Sequence, residues 1–148
     1  MYNPVHISNN FLMLAHKQDE QVTAMKMQKM LYFLYRDFLR EFKVSLFSER
    51  FSAWKYGPVL ESVYHTYKGF GSDGIKGYGG TPAYALKEED DPDLRRLIRK
   101  IWAACLPYNG IDLSKMTHRP ESAWYKAWNR SRTYLQEEDI FNDTVEIG

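Results

Sequence analysis

Asp112, Ser114, Thr117, His118 and Glu121 fall within ten residues of one another. A hydroxyl beside an imidazole, with a carboxylate to orient the ring, is the equipment of nucleophilic hydrolysis. The stretch lacks the glycine-flanked strand–turn–helix elbow that exposes such a serine. These residues therefore read first as helix and turn residues, with His118 capping or bridging a turn. A small hydrolase is the alternative they leave open. Metal chemistry has less support. His6, His16, His65 and His118 include no pair at i, i+4, and Cys105 is the single cysteine. Neither a zinc site nor an internal disulfide is expected. Gly69-Phe70-Gly71-Ser72-Asp73-Gly74 fits GxGxxG, but that fingerprint needs a strand before it and a helix after it. Here a predicted helix precedes and more glycines follow, so no nucleotide or other cofactor is expected.

Binding residues are more plentiful than catalytic ones. Between 115 and 132, Lys115, Arg119, Lys126, Arg130 and Arg132 are interleaved with Trp124, Tyr125 and Trp128, and Glu121 is the only acid. Cations among rings can hold single-stranded nucleic acid by charge and stacking. The same pattern arises from an amphipathic segment with a basic outer face. The formal net charge of +1 favours that second reading, because no global field draws the chain onto nucleic acid or an anionic membrane. Glu137, Glu138, Asp139, Asp143 and Glu146 make the following stretch acidic, so it could neutralise the basic patch. The 11 Tyr, 8 Phe and 4 Trp exceed what composition alone explains. Rings with a polar handle suit both a small core and an interface.

These side chains need a scaffold, and the 148 residues supply one of ordinary domain size. With 44% hydrophobic and 26% charged residues, the chain is not of disordered or low-complexity type. Apolar runs stop far short of the roughly 20 residues that span a bilayer, and the first residues lack a signal-like pattern. A single cytoplasmic domain over 1–148 is expected. Asn3-Pro4 predicts the start of a first helix. Thr23 predicts the cap of a second, with Val22 and Met27 as a hydrophobic staple. In that helix Met27, Leu31, Leu34, Phe38 and Phe42 form a buried stripe, which Met30, Phe33 and Tyr35 widen until it wraps most of the surface. It reads as the central helix.

The stretch 46–56 reads as extended. Gly57-Pro58 reads as the opening of a third helix, and 83–86 as a short strand able to pair with part of 47–54. Asp91-Pro92 caps a fourth helix, whose apolar stripe is Leu94, Leu97, Ile98, Ile101, Trp102 and Cys105. Arg95, Arg96, Arg99 and Lys100 fall opposite, on a solvated face. Short helices follow at 112–118 and 121–130, and a last one near Glu137. The fold class predicted is mainly α, a compact helical fold with a small two-stranded β element.

Three segments together resemble a known family. Lys29-Met30-Leu31-Tyr32-Phe33, then Phe51-Ser52-Ala53-Trp54-Lys55-Tyr56-Gly57-Pro58-Val59, then Leu113-Ser114-Lys115-Met116-Thr117-His118 with Trp124 beyond, are similar to the Panacea domain of SocA-like antitoxins, also described as phage-associated GepA-like proteins. The likeness extends from about residue 5 to 142. A proline ordinarily precedes the tryptophan of the last motif, and Ala123 stands here. The resemblance implies an antitoxin of a bacterial or prophage pair that binds a cognate protein toxin without catalysis of its own. In some members it implies delivery of the toxin to a protease. It makes Trp54, Tyr56, Gly57, Pro58, Thr117, His118 and Trp124 motif residues, expected to be mainly structural. Candidate partner-binding residues are Arg95, Arg96, Arg99, Trp124, Tyr125, Trp128 and Arg130.

Overall fold

The computed structural model describes residues 1–87 and 89–148. Helix α2 (Ala24–Phe42) is the axis of the molecule. Thr23 caps it by accepting from the Lys26 N–H, and the residues from Lys26 to Arg36 are buried without interruption. An amphipathic helix exposes one face. This one is covered all round, by α1 (Pro4–Lys17), α4 (Pro92–Cys105), α5 (Gly110–Thr117) and a hairpin, β1 (Ser52–Trp54) with β2 (Gly57–Val59). Also present are α3 (Glu61–Tyr67), α6 (Ala123–Asn129) and α7 (Glu137–Phe141). The fold is mainly helical with one small antiparallel sheet, as the periodicities predict. Asn3 caps α1, Asp91 caps α4 and Pro92 opens it, also as expected. Asn109 and Asp112 form a capping box that starts α5 at Gly110, two residues before the predicted start.

The β element corrects two expectations. Gly57-Pro58 does not open a helix. It forms β2, in the register Ser52↔Val59, Ala53↔Pro58 and Trp54↔Gly57, and α3 begins only at Glu61. A proline is tolerated in a strand where its missing N–H would not enter the ladder. Ala53, opposite Pro58, sends its own N–H away from β2 to Thr133 O at 2.9 Å. The Ala53–Pro58 pair thus exchanges no bonds, and Pro58 forfeits none. Residues 83–86 do not form a strand either. The far edge of β1 is occupied by 133–135, through Ala53 N–H, the Leu135 N–H to Phe51 O bond at 2.9 Å and the Ser52↔Tyr134 bridge. The 83–86 stretch is held instead by α1 side chains. Asn9 Nδ2 donates to Tyr84 O at 2.8 Å, and Asn10 Oδ1 accepts from the Leu86 N–H at 3.2 Å.

One acid of the stretch after α6, Asp143, turns inward, while Glu137, Glu138 and Glu146 stay exposed. Asp143 is fully buried and accepts from the Tyr32 hydroxyl, the Ala123 N–H (3.2 Å) and the Val145 N–H (2.9 Å). Arg36 Nη1 lies 3.7 Å from it. Burial and the carboxylate together push the Tyr32 phenol well above its ordinary pKa. Glu137 accepts from Tyr35 and Ser45. Among the described residues, one acidic side chain of the stretch meets the basic patch, Asp139 with Lys126 at 4.0 Å, and Arg119 donates to Glu146 O and Gly148 O at 3.0 and 2.7 Å. Removing one member of a buried ionic network costs about 3–5 kcal/mol, because the partners stay buried. Asp143→Ala should lower urea-denaturation stability by about that amount, whereas exposed Glu146→Ala should leave it unchanged.

Candidate functional site at the hairpin corner

The turn joining β1 to β2 is Lys55-Tyr56, and its carbonyls find partners on helices rather than on a further strand. Trp124 Nε1 donates to Trp54 O at 2.6 Å. His118 Nε2 meets Lys55 O at 2.8 Å, and its Nδ1 meets Ser114 O at 2.5 Å. Ser114 Oγ donates to Tyr56 O at 2.5 Å. Lys29 Nζ donates to Pro58 O at 3.3 Å. One residue further, the Gln28 amide accepts from the Leu60 N–H at 2.9 Å and donates to Leu60 O at 3.0 Å. Gln28 and Lys29 thus stand where a third strand would pair with β2. The segments that carried the resemblance meet at this one corner.

Gly57 lets the corner close. Its φ is +116°, a region that L side chains rarely adopt, and a Cβ there would lie 2.6 Å from Thr117 Oγ1 and 2.8 Å from Lys29 Cε. Thr117 in turn donates to Ser114 O at 2.7 Å. The Lys29 amine is sealed beneath, and desolvation lowers its pKa from 10.5 to about 7.

This geometry dissolves the hydrolytic constellation. The Ser114 and Thr117 hydroxyls both donate to carbonyls, not to His118. Asp112 is engaged in the α5 cap, accepting from the Asn109 N–H at 3.0 Å. Glu121 is exposed, before the start of α6. Among the described residues, no group of three or more His, Cys, Asp or Glu is placed to hold a metal ion. Cys105 is buried, and burial pushes its thiol up to about 12.

The rings at the corner divide into sealed and open. Trp124 is buried, tilted against His118 at 3.8 Å between centroids and stacked on Trp128 at 5.2 Å. Trp54 is half-buried and meets Tyr64 edge-on at 4.9 Å. Tyr56 is 58% exposed, Trp128 46% and Tyr125 37%. What the fold uses of Tyr56 is its carbonyl; its ring is left in solvent beside the Lys55 amine at 5.5 Å. Arg130 is exposed at the end of α6.

The α4 arginines are occupied differently. Arg95 donates to Leu86 O and Lys87 O at 3.3 and 3.1 Å, and Arg96 pairs with Glu41 at 2.5 Å. Arg99 lines a shallow groove with Met13 and Lys17. Sequence reasoning missed Gln28, Lys29 and Ser114 as parts of the corner. The available signal was two polar residues inside the widened stripe of α2.

Gly57→Ala should cost about 2–4 kcal/mol in denaturant unfolding, through overpacking and backbone strain together. Lys29 makes stability depend on pH. Unfolded, the amine keeps its proton up to about 10.5; folded, it releases it near 7. Between those values the unfolded chain binds more protons, so wild-type stability rises with pH. The stability of wild type relative to Lys29→Met should therefore rise from pH 7 toward 10, by up to about 1.4 kcal/mol per unit. A constant difference would contradict this.

The family model for "Antitoxin SocA-like, Panacea domain" matches residues 27–125. No curated protein and no solved structure matches the chain. The matched span contains the turn and each of the helical side chains that hold its carbonyls, from Gln28 to Trp124, and on that match this chain belongs to the SocA-like antitoxins with a Panacea domain.

Proposed function

We propose that this protein neutralises a protein toxin by direct, stoichiometric binding, and that the hairpin corner is the docking face. Membership of an antitoxin family implies a toxin as partner. The observation that carries the reading is the division of labour at the corner. Its polar side chains are committed to backbone carbonyls, while Tyr56 and Trp128 are offered to solvent on a rigidly held frame. Exposed Tyr and Trp on a preorganised surface are the residues that concentrate binding energy at interfaces. Tyr125 and Arg130 flank them on α6 and at its end.

In this reading the protein acts in the cytoplasm and has no turnover of its own. No helix among the described residues is long and apolar enough to cross a membrane. Nucleic acid is not the principal ligand, because the net charge of the whole chain is only +1.

The test is titration of purified protein against the toxin it protects from, scored by residual toxin activity and co-elution. An activity break at a fixed molar ratio is expected. Tyr56→Ala and Trp128→Ala should each weaken the complex by about thirtyfold, a hot-spot loss, with unchanged melting. Silencing by sub-stoichiometric protein over time, with no protease added, would show an enzyme. The same turnover seen only with a protease present would show an adaptor.

A further inference from the structure

The chemistry of the partner's contact segment can be read from the charges that the fold leaves uncompensated at this corner. Lys55, Lys115, Arg130 and Arg132 are all exposed. Among the described residues, Lys115, Arg130 and Arg132 have no side-chain hydrogen bond or ion pair, and the one such contact of Lys55 is with the Tyr56 ring. Backbone contacts bring them together. Lys55 O is held by His118, and Tyr56 O by Ser114, the neighbour of Lys115. Arg132 precedes Thr133, whose carbonyl pairs with Ala53, two residues from Lys55. Arg130 follows α6, on which Trp128 stacks against Trp124.

Among the described residues, no carboxylate forms an ion pair with any of these four cations. Glu61 accepts from Ser52 at 3.4 Å. Glu121 lies before the start of α6, about 12 Å of helix rise from Arg130. The downstream acids Asp143 and Glu137 are engaged with α2. Elsewhere Arg36, Arg96, Lys100 and Lys126 have carboxylate partners, whereas exposed Lys17, Lys68 and Lys76 stand singly without one among the described residues. What marks the corner is the grouping of unpaired cations around exposed rings.

Resting on the docking face proposed above, we infer that this corner takes an acidic segment of a protein partner, with carboxylates set around an apolar or aromatic side chain that packs against Tyr56 and Trp128. Complementary charge steers encounter and fixes register, while the rings supply the anchor. A single strand of nucleic acid offers the same charge but needs open ring faces for successive bases. Here Tyr56 has an open ring, but Trp124 covers one face of Trp128, and Trp54 is set edge-on to Tyr64, so these rings offer no run of successive open faces. That arrangement favours a protein.

The experiment uses the full chain, immobilised, to select from a random dodecapeptide display library. Peptides enriched in Asp and Glu beside an apolar residue are expected. Binding of the best one should fall about tenfold or more between about 50 and about 300 mM salt. Enrichment should vanish with the triple variant Lys55→Glu, Arg130→Glu, Arg132→Glu, and weaken with the corresponding glutamine variant should the first not fold. It should survive Arg96→Glu. Selection of peptides without acidic bias, or salt-independent binding, overturns the inference. So does tighter binding of a labelled oligouridine that the same triple variant abolishes. Toxin neutralisation by the triple variant is scored separately. If it persists while acidic peptides are lost, the acidic-segment site stands and the docking reading fails.

Discussion

A β-turn has carbonyls that a two-stranded ribbon cannot satisfy by itself, and in this protein helical side chains satisfy them. Trp54 O, Lys55 O, Tyr56 O and Pro58 O are held by Trp124, His118, Ser114 and Lys29. Leaving a buried backbone group unpaired costs about 1–3 kcal/mol, and an isolated hairpin is marginal in water. The arrangement therefore couples the hairpin to α2, α5 and α6 at once. None of those helices can shift without releasing a carbonyl, and the turn cannot rearrange without unseating a ring or an amine. Gly57 is the geometric condition for it, since a side chain there would occupy the space of Thr117 and Lys29.

Electrostatics inside and outside follow opposite rules. Within, the fold accepts ionisable groups only where they do structural work. Lys29 loses its ordinary basicity to desolvation, and Asp143 gathers donors from α2, α6 and the chain that follows it. On the outer surface of the corner, Lys55, Lys115, Arg130 and Arg132 stay exposed beside the Tyr56 and Trp128 rings, without an ion pair among the described residues. That contrast separates the motif residues that hold the turn from the side chains left exposed beside it. Tyr56 belongs to both sets, its carbonyl facing inward and its ring outward.

The family likeness alone does not make this distinction. A motif states which residue types recur in an order. Here it marks a frame of caps, and the exposed side chains of Lys55, Trp128 and Arg130 flank that frame or fill a position that the motif leaves open. The exposed side chains here can change while the carbonyl frame is kept, because the frame's bonds do not involve them.

By itself the sequence determined the helices whose signals are local. Thr23, Asn3, Asp91 and Pro92 act within one turn of the backbone they cap, and the stripes of α2 and α4 repeat at the helical period. It also determined the family, through residue types in order. Strand placement was decided only in three dimensions. Gly57-Pro58 suits a helix start as well as a ladder position that needs no N–H, and 83–86 has strand-like composition without a free edge to join. The nature of the corner was likewise a tertiary matter. Only its place inside the widened apolar stripe of α2 set Lys29 apart from a solvated helix lysine, and nothing local told the Ser114 and His118 of a carbonyl clamp from those of a hydrolase. Those assignments depend on which acceptor the folded chain brings within about 3 Å, and that follows from the packing of α2, α5 and α6 against the turn.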